Sequence, residues 1–194
     1  MKKTIISSLL AIAAAAPIAS YAVDGTITFN GSVTGSTCVI NGGGAGAGDF
    51  TVTMAPVPTS ALASAGQTAG NNPAAIRIAL TNCAPASGNV RAFFEGGATV
   101  DPTTHALRNT SAGTPATGSN PAVPAATNVQ IRLFDKISGT DLNLDAVRGS
   151  QFASSVAISS AGAATLEYGT KYLATGSATA GPVRSTIQYT LDFH

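Results

Sequence analysis

Apolar and polar residues alternate along most of this chain with a period of two, the spacing of a β-strand that buries one face. The alternation recurs in short segments, and no window carries a 3.6-residue apolar period of helical length. Short strands separated by small and turn-forming residues predict an all-β sandwich. The predicted strands are Ile27–Val33, Thr37–Ile40, Phe50–Met54, Ala75–Thr81, Val90–Glu95, Val129–Phe134, Phe152–Ile158, Thr165–Leu173 and Ser185–Phe193.

The connections between these strands are rich in Gly, Pro, Ser, Thr, Asn and Ala. Asn41–Gly48 and Ser111–Asn128 are the clearest predicted loops. Ser60–Gly66 carries a weak signal for a short helix. No internal repeat or second zone of composition appears, and 194 residues fit one domain.

The two strands nearest the chain ends have strongly apolar faces. Ile27, Phe29 and Val33 lie on one face of the first strand, and Gly31 interrupts that row. At the other end, Ile187, Tyr189, Leu191 and Phe193 form one face of the last strand. We expect this last strand to be packed, because an exposed apolar edge invites aggregation.

The first 22 residues have the three parts of a secretory signal. Lys2 and Lys3 begin the chain, Ile5–Ile18 is almost wholly apolar, and small residues predict cleavage between Ala22 and Val23. The apolar run is shorter than the roughly 20 residues that span a bilayer. An uncleaved membrane anchor is the alternative interpretation of this segment.

Charge and cysteine content narrow the classes of function. Only 10% of the residues are charged and the formal net charge is +1, so the chain lacks the basic surface that binds nucleic acid. The two cysteines, Cys38 and Cys83, predict one disulfide in a secreted protein. Metal binding and redox catalysis are the rival interpretations, but the pair is not Cys-x-x-Cys and no histidine cluster lies near it.

Candidate catalytic residues are scarce. His105 lies in a polar segment, so we expect it in a solvated loop. His194 is the last residue of the sequence, and chain ends often fray. Gly44–Asp49 lacks the last glycine and the lysine of phosphate loops. Asp141–Asp145 resembles the start of a calcium loop, but Ala146 replaces its glycine and Phe152 its final glutamate. We therefore predict no enzyme activity, no catalytic residues, no metal, no cofactor and no small-molecule substrate.

Three stretches together resemble the pilin subunits of the chaperone–usher pathway, especially the shaft subunits of type 1 and P-type fimbriae. They are "ITFNGSV" with the first cysteine after it, "IRIALTNC" with the second, and the closing segment "YLATGSATAGPVRSTIQYTLDFH". Gly181 is fourteenth from the end, where such subunits commonly have glycine. The chain departs from the family at Phe193, where tyrosine is more usual.

The resemblance implies an incomplete immunoglobulin-like β-sandwich that lacks its last strand. The missing strand would leave a hydrophobic groove beside the C-terminal strand, which a periplasmic chaperone fills first. At an outer-membrane usher, the N-terminal extension of the next subunit would replace the chaperone. The implied organisation is a signal peptide (1–22), a donor-strand extension (23–34) and a pilin domain (35–194).

In this interpretation Ile27, Phe29 and Val33 fill pockets of a neighbour's groove, and Gly31 fits a narrow part of it. The implied product is a structural subunit of a fimbria on the bacterial surface, assembled head to tail from identical or related pilins and supporting adhesion. A major shaft subunit is favoured over a minor one. The alternative is a self-contained secreted β-sandwich that acts as an adhesin or lectin.

Overall fold

The computed structural model describes residues 37–42, 48–49 and 51–194, which belong to the unit Thr34–His194. Over these residues the chain forms nine strands and one 3-10 helix, Thr59–Leu62. The strands are β1 (Thr37–Gly42), β2 (Thr68–Ala84), β3 (Asn89–Phe94), β4 (Val100–Asp101), β5 (Ala106–Arg108), β6 (Val129–Asp135), β7 (Val156–Ala157), β8 (Ala164–Ala174) and β9 (Tyr189–Phe193).

The strands form two sheets. The larger sheet has the order β1-β2-β8-β6-β5-β4, and the smaller has the order β7-β3-β9. All of the strand pairs are antiparallel. This arrangement agrees with the predicted all-β sandwich, because antiparallel sheets that pack face to face bury alternate residues of each strand.

The core lies between the two sheets. Ile78 and Leu80 of β2 and Val90 of β3 are at most 1% exposed. The rings of Phe94 on β3 and Tyr168 on β8 meet edge to face, with centroids 5.1 Å apart and planes at 84°. This geometry is favourable for aromatic rings, and it joins the two sheets through their largest buried side chains.

A disulfide joins Cys38 on β1 to Cys83 near the end of β2, as predicted from the sequence. β1 is an edge strand of the larger sheet. A cross-link over 45 residues restricts the unfolded chain and therefore stabilises the fold. In this sandwich it also ties an edge strand to its neighbour.

Four predicted elements differ from the structure. Residues 51–54 form no strand, although Val52 and Met54 are half-buried and their threonine neighbours are exposed. The predicted helix is reduced to the 3-10 turn Thr59–Leu62. Of Phe152–Ile158 only β7 is a strand, and of Ser185–Phe193 only β9 is a strand.

The first half of Phe152–Ile158 does not form a strand because its backbone and side chains bond to Asp135 instead. The backbone N–H and the hydroxyl of Ser154 donate to the Asp135 carboxylate, at 3.1 and 2.7 Å. Burial alone raises the pKa of Asp135, but hydrogen bonds from Ser138 and Ser154 outweigh burial and lower it. Phe152 has a φ of 66°, which no regular strand accommodates.

Candidate functional site

Strand β9 is one of the two edge strands of the smaller sheet within the described part of the chain. It pairs with β3 in an antiparallel register that places Phe193 opposite Val90, Leu191 opposite Ala92 and Tyr189 opposite Phe94. Because side chains alternate along a strand, these three pairs lie on the same face of the sheet. That face is the one that packs on the core.

The two members of each pair differ in burial. Val90, Ala92 and Phe94 on β3 are 0%, 1% and 2% exposed. Their partners Phe193, Leu191 and Tyr189 are only half-buried, although they pack against the same core. The core is therefore closed over β3 and partly open over β9.

Other half-buried apolar side chains pack on the same core from β1, the edge strand of the larger sheet, and from the chain after it. Ile40 and Cys38 lie on β1, and Val52 follows in the chain. We call the apolar rim the set Ile40, Val52, Ile187, Tyr189, Leu191 and Phe193. It contains all four apolar residues that the sequence predicts on the C-terminal strand.

A hydrogen bond brings the chain that follows β1 to β9. The Tyr189 hydroxyl donates to the Gly48 carbonyl at 2.7 Å. Burial, and then the negative charge of Asp49, raise the pKa of Tyr189. Ile40 and Tyr189 thus belong to elements that approach one another at the same part of the core.

Gly181 lies in the segment that leads into β9 and not in the strand itself. A Cβ at this position would meet the backbone of residues 124–126, with the Ala126 nitrogen at 2.6 Å. Its φ of 155° falls in a region that favours glycine. The residue therefore allows two backbone segments to pass closely, which directs the chain toward β9.

The outward face of β3 and β9 carries polar contacts that the sequence analysis missed. The Arg91 guanidinium donates to one oxygen of Asp192 through Nε at 3.0 Å and through Nη2 at 2.8 Å. Thr190 donates to Glu95 at 2.7 Å and accepts from Arg148 at 2.9 Å. The alternation in the sequence placed Thr190 and Asp192 outward, but only the strand register identifies their partners.

The C-terminal residue is held in place, contrary to the expectation that it frays. Asn89 donates its N–H to the His194 carbonyl at 2.8 Å, and His194 donates back at 3.0 Å. The imidazole Nε2 of His194 lies 2.9 Å from the Ser155 hydroxyl. These contacts extend the pairing of β9 to the last residue of the chain.

His105 is the other histidine that the sequence analysis considers. His105 is half-buried in a turn and has a φ of 57°, so the expected solvated loop is only partly correct. Among the described residues, no group of three or more His, Cys, Asp or Glu side chains is placed to hold a metal ion. Within the same residues, no helix has the length and apolarity needed to cross a membrane.

The predicted N-terminal features lie outside the described residues. They are the cleavage site between Ala22 and Val23 and the donor-strand residues Ile27, Phe29, Gly31 and Val33. These residues stay predictions from the sequence. The described structure therefore bears on the accepting side of the predicted joint only.

Comparison with known proteins agrees with this architecture. The family model of type-1 fimbrial protein A matches residues 54–194. The major fimbrial subunit SMF-1 of Stenotrophomonas maltophilia (strain K279a) is 40% identical over 189 residues, covering 93% of this chain and 99% of that protein. The F17 fimbrial protein of Escherichia coli is 36% identical over 184 residues, covering 94% of each chain.

A chain in a solved chaperone–usher pilus has a similar fold, with a TM-score of 0.51 and 19% sequence identity. The match covers 92% of this chain and all of that one. At this identity the likeness concerns the fold alone, and it agrees with the antiparallel sandwich described above. From the family match and the two fimbrial relatives, the chain belongs to the type-1 fimbrial protein family and is a structural subunit of extracellular surface fimbriae.

Proposed function

We propose that this subunit polymerises by donor-strand exchange, in which residues 23–34 of one copy add to β9 of the next. The observation that carries the proposal is the difference in burial between β3 and β9. Val90, Ala92 and Phe94 are closed off from solvent, whereas the apolar side chains opposite them on β9 are half-exposed. An added strand beside β9 would bury this row and supply the backbone pairing of a new edge.

The donor is the N-terminal extension, because its apolar row has the period that such a partner needs. Ile27, Phe29 and Val33 alternate with polar residues, so all three would face the groove of the accepting subunit. Burial of each would contribute roughly 1.5–3 kcal/mol before the cost of ordering the segment. Gly31 would occupy the narrow part of the groove.

This joint produces a fibre through its geometry. Each copy would donate one strand and accept another at a different surface, which is a head-to-tail contact that does not close on itself. The extension (23–34) and the accepting domain (35–194) would act as separate parts of one chain. Cleavage after Ala22 would release the extension as the new N-terminus.

Before assembly, the open core over β9 needs temporary cover. A periplasmic chaperone would cover the apolar rim, and an outer-membrane usher would be the place where the next subunit replaces it. An open rim in an unassembled subunit is an aggregation hazard, which is the physical reason for such a partner. Similarity to a protein named a major fimbrial subunit favours the role of the main shaft subunit.

The proposal is tested by deleting Val23–Val33 while keeping the signal peptide, residues 1–22. We expect disulfide-bonded chain in the periplasm and no surface fibres, because the accepting domain is intact and the donor is missing. Deletion of the exposed loop residues 115–122 is the control, and it should leave fibres on the cell surface. Normal fibres from the chain without Val23–Val33 would overturn the proposal.

A further inference from the structure

We propose that Arg91 and Asp192 form a register clamp that determines which residues of an incoming donor strand enter which part of the groove. The two residues are directly opposite on β3 and β9 and are joined by two hydrogen bonds to one carboxylate oxygen, at 2.8 and 3.0 Å. Their side chains are 26% and 19% exposed, so the pair is partly shielded from water. The inference rests on the proposed donor-strand exchange.

The clamp lies between two groove positions. Asp192 separates Leu191 from Phe193 and faces outward, while those two side chains face the core. A guanidinium that binds a carboxylate through two N–H groups imposes more geometry than a single hydrogen bond. Fixing Asp192 therefore fixes its two apolar neighbours along the strand.

Packing alone holds the register of β9 weakly. Leu191 lies opposite the small residue Ala92, and the apolar row on β9 is only half-buried. A slip of two residues keeps the apolar row facing inward, so it avoids the large cost of exposing the whole face. Such a slip would move Asp192 away from Arg91 and opposite Phe93 or Asn89, and the clamp would be lost.

A second set of contacts on the same face supports this arrangement. Arg148 donates to Thr190 at 2.9 Å, and its guanidinium carbon lies 4.5 Å from the centre of the Phe93 ring. Phe93 and Thr190 are themselves opposite one another in the register. Arg148 therefore connects both strands at the next outward pair along.

The consequence concerns the donor strand. A strand that adds to β9 takes its register from the backbone of β9. If β9 slipped by two residues, the donor would shift with it relative to the rest of the groove, and Phe29 or Val33 would reach the place of Gly31. Arg91 and Asp192 are therefore positioning residues for strand exchange, although neither faces the groove.

The test exchanges a large and a small donor residue in the full chain. The swapped donor carries Phe29→Gly and Gly31→Phe, which displaces the gap in the apolar row by two residues. The yield of surface fibres, divided by the amount of disulfide-bonded chain in the periplasm, is compared for native and swapped donors. The ratio of these two yields measures how strongly the groove discriminates between donor strands whose apolar rows differ by a two-residue shift.

With the clamp intact, we expect the swapped donor to lower the yield about tenfold or more, which corresponds to about 1.4 kcal/mol. With Arg91→Gln, we expect the ratio to fall to about threefold or less, because β9 is free to slip. The reversed pair, Arg91→Asp with Asp192→Arg, should restore the strict ratio. If Arg91 and Asp192 only stabilised the domain, Arg91→Gln would lower the fibre yield with both donors equally and would leave the ratio of the two yields unchanged.

Arg132→Gln is the matched control. Arg132 lies on β6 in the larger sheet, pairs with Asp141 at 3.2 Å and is 22% exposed, so it resembles Arg91 in burial but lies on a different sheet. It should leave the strict ratio unchanged. Equal ratios in the Arg91→Gln chain and the native chain would overturn the clamp, and so would equal yields from native and swapped donors with the clamp intact. Failure of donor-strand exchange itself would appear differently, as normal fibres from the chain that lacks Val23–Val33.

Discussion

Leu191 and Ala92 lie directly opposite each other on neighbouring strands, yet Ala92 is 1% exposed and Leu191 is half-buried. The difference arises because Ala92 is on the central strand of the smaller sheet and Leu191 is on an edge strand. Among the described residues, Leu191 thus has one strand beside it, which is β3. In the proposed joint its remaining apolar surface would be buried by the donor strand of another subunit.

Replacing Leu191 with alanine should therefore weaken the joint between subunits. We expect Leu191→Ala fibres to dissociate in hot detergent at a lower temperature than native fibres, with a loss of roughly 1 kcal/mol per joint, because part of the side chain is already buried in the single subunit. Val39→Ala is the control, since Val39 is 48% exposed on β1. Equal dissociation temperatures for the Leu191→Ala and native fibres would contradict the burial of Leu191 in the joint.

The disulfide should contribute strongly to the stability of the domain. Cys38→Ser with Cys83→Ser should lower the free energy of unfolding by about 2–5 kcal/mol, because the unfolded chain gains freedom over a loop of 45 residues. Urea unfolding of the purified chain measures this, and native chain treated with reductant serves as a second comparison. Coincident urea midpoints for the variant and the oxidised native chain would show that the cross-link adds nothing.

Tyr168 should make the domain sensitive to alkali. Burial raises the pKa of its hydroxyl to about 12, and the Ala92 N–H donates to the same oxygen at 2.9 Å. Because the folded pKa lies above the unfolded value, the stabilisation is complete below about pH 10 and is lost as the pH rises from about 10 to 12. Over that range the free energy of unfolding should fall by about 2–3 kcal/mol from this residue.

Unfolding curves recorded between pH 9 and pH 12 test this, with Tyr168→Phe for comparison. The variant loses the hydrogen bond from Ala92 and should be less stable at neutral pH by about 0.5–1.5 kcal/mol. The free energy of unfolding of the variant should also fall less between about pH 10 and pH 12. Part of the fall should remain, because burial also raises the pKa values of Tyr172 and Tyr189, which the variant retains. An alkaline decline of the same size in Tyr168→Phe would assign the effect to other groups.

A methyl group at position 181 should destabilise the subunit. The Cβ of Gly181→Ala would press on the backbone of residues 124–126, and backbone atoms move less readily than side-chain ends. We expect a loss of about 1–3 kcal/mol in the free energy of unfolding, as for other overpacked sites. Gly97→Ala is the control, because a Cβ there has nothing within 4 Å, and a smaller loss at 181 than at 97 would refute the steric explanation.

The sequence predicted the elements whose alternation is strong and uninterrupted. Ala75–Thr81, Val129–Phe134 and Thr165–Leu173 lie wholly on strands, and Val90–Glu95 does so as far as Phe94, because one face of each packs on the core. The disulfide was also predictable, since two cysteines in a secreted chain leave few other uses. The inward row of the C-terminal strand followed from alternation alone.

The sequence could not predict features that depend on which strands become neighbours. The short strands β4 and β5 were missed because two or three residues carry no readable period. Arg91 and Asp192 are 101 positions apart, and only the β3–β9 register makes them partners. Residues 185–188 alternate like a strand but bond irregularly, for example when Thr99 donates to the Thr186 carbonyl at 2.9 Å.

The most direct measurement asks whether the strand beside β9 comes from another copy of the chain. Fibres are assembled from an equal mixture of heavy-isotope and normal subunits that carry a benzophenone amino acid in place of Phe29. After illumination, mass spectrometry identifies the peptides joined to position 29 and the isotope of each. The control for chance contacts is a subunit that carries the benzophenone amino acid in place of Val39, which is exposed on β1.

Donor-strand exchange predicts that position 29 joins to peptides that contain residues of the apolar rim, such as Leu191. About half of these joined pairs should combine one heavy and one normal peptide, because donor and acceptor are different copies. Joined pairs that are always of one isotope would mean that the extension packs on its own domain, and that result would contradict polymerisation by exchange of this strand.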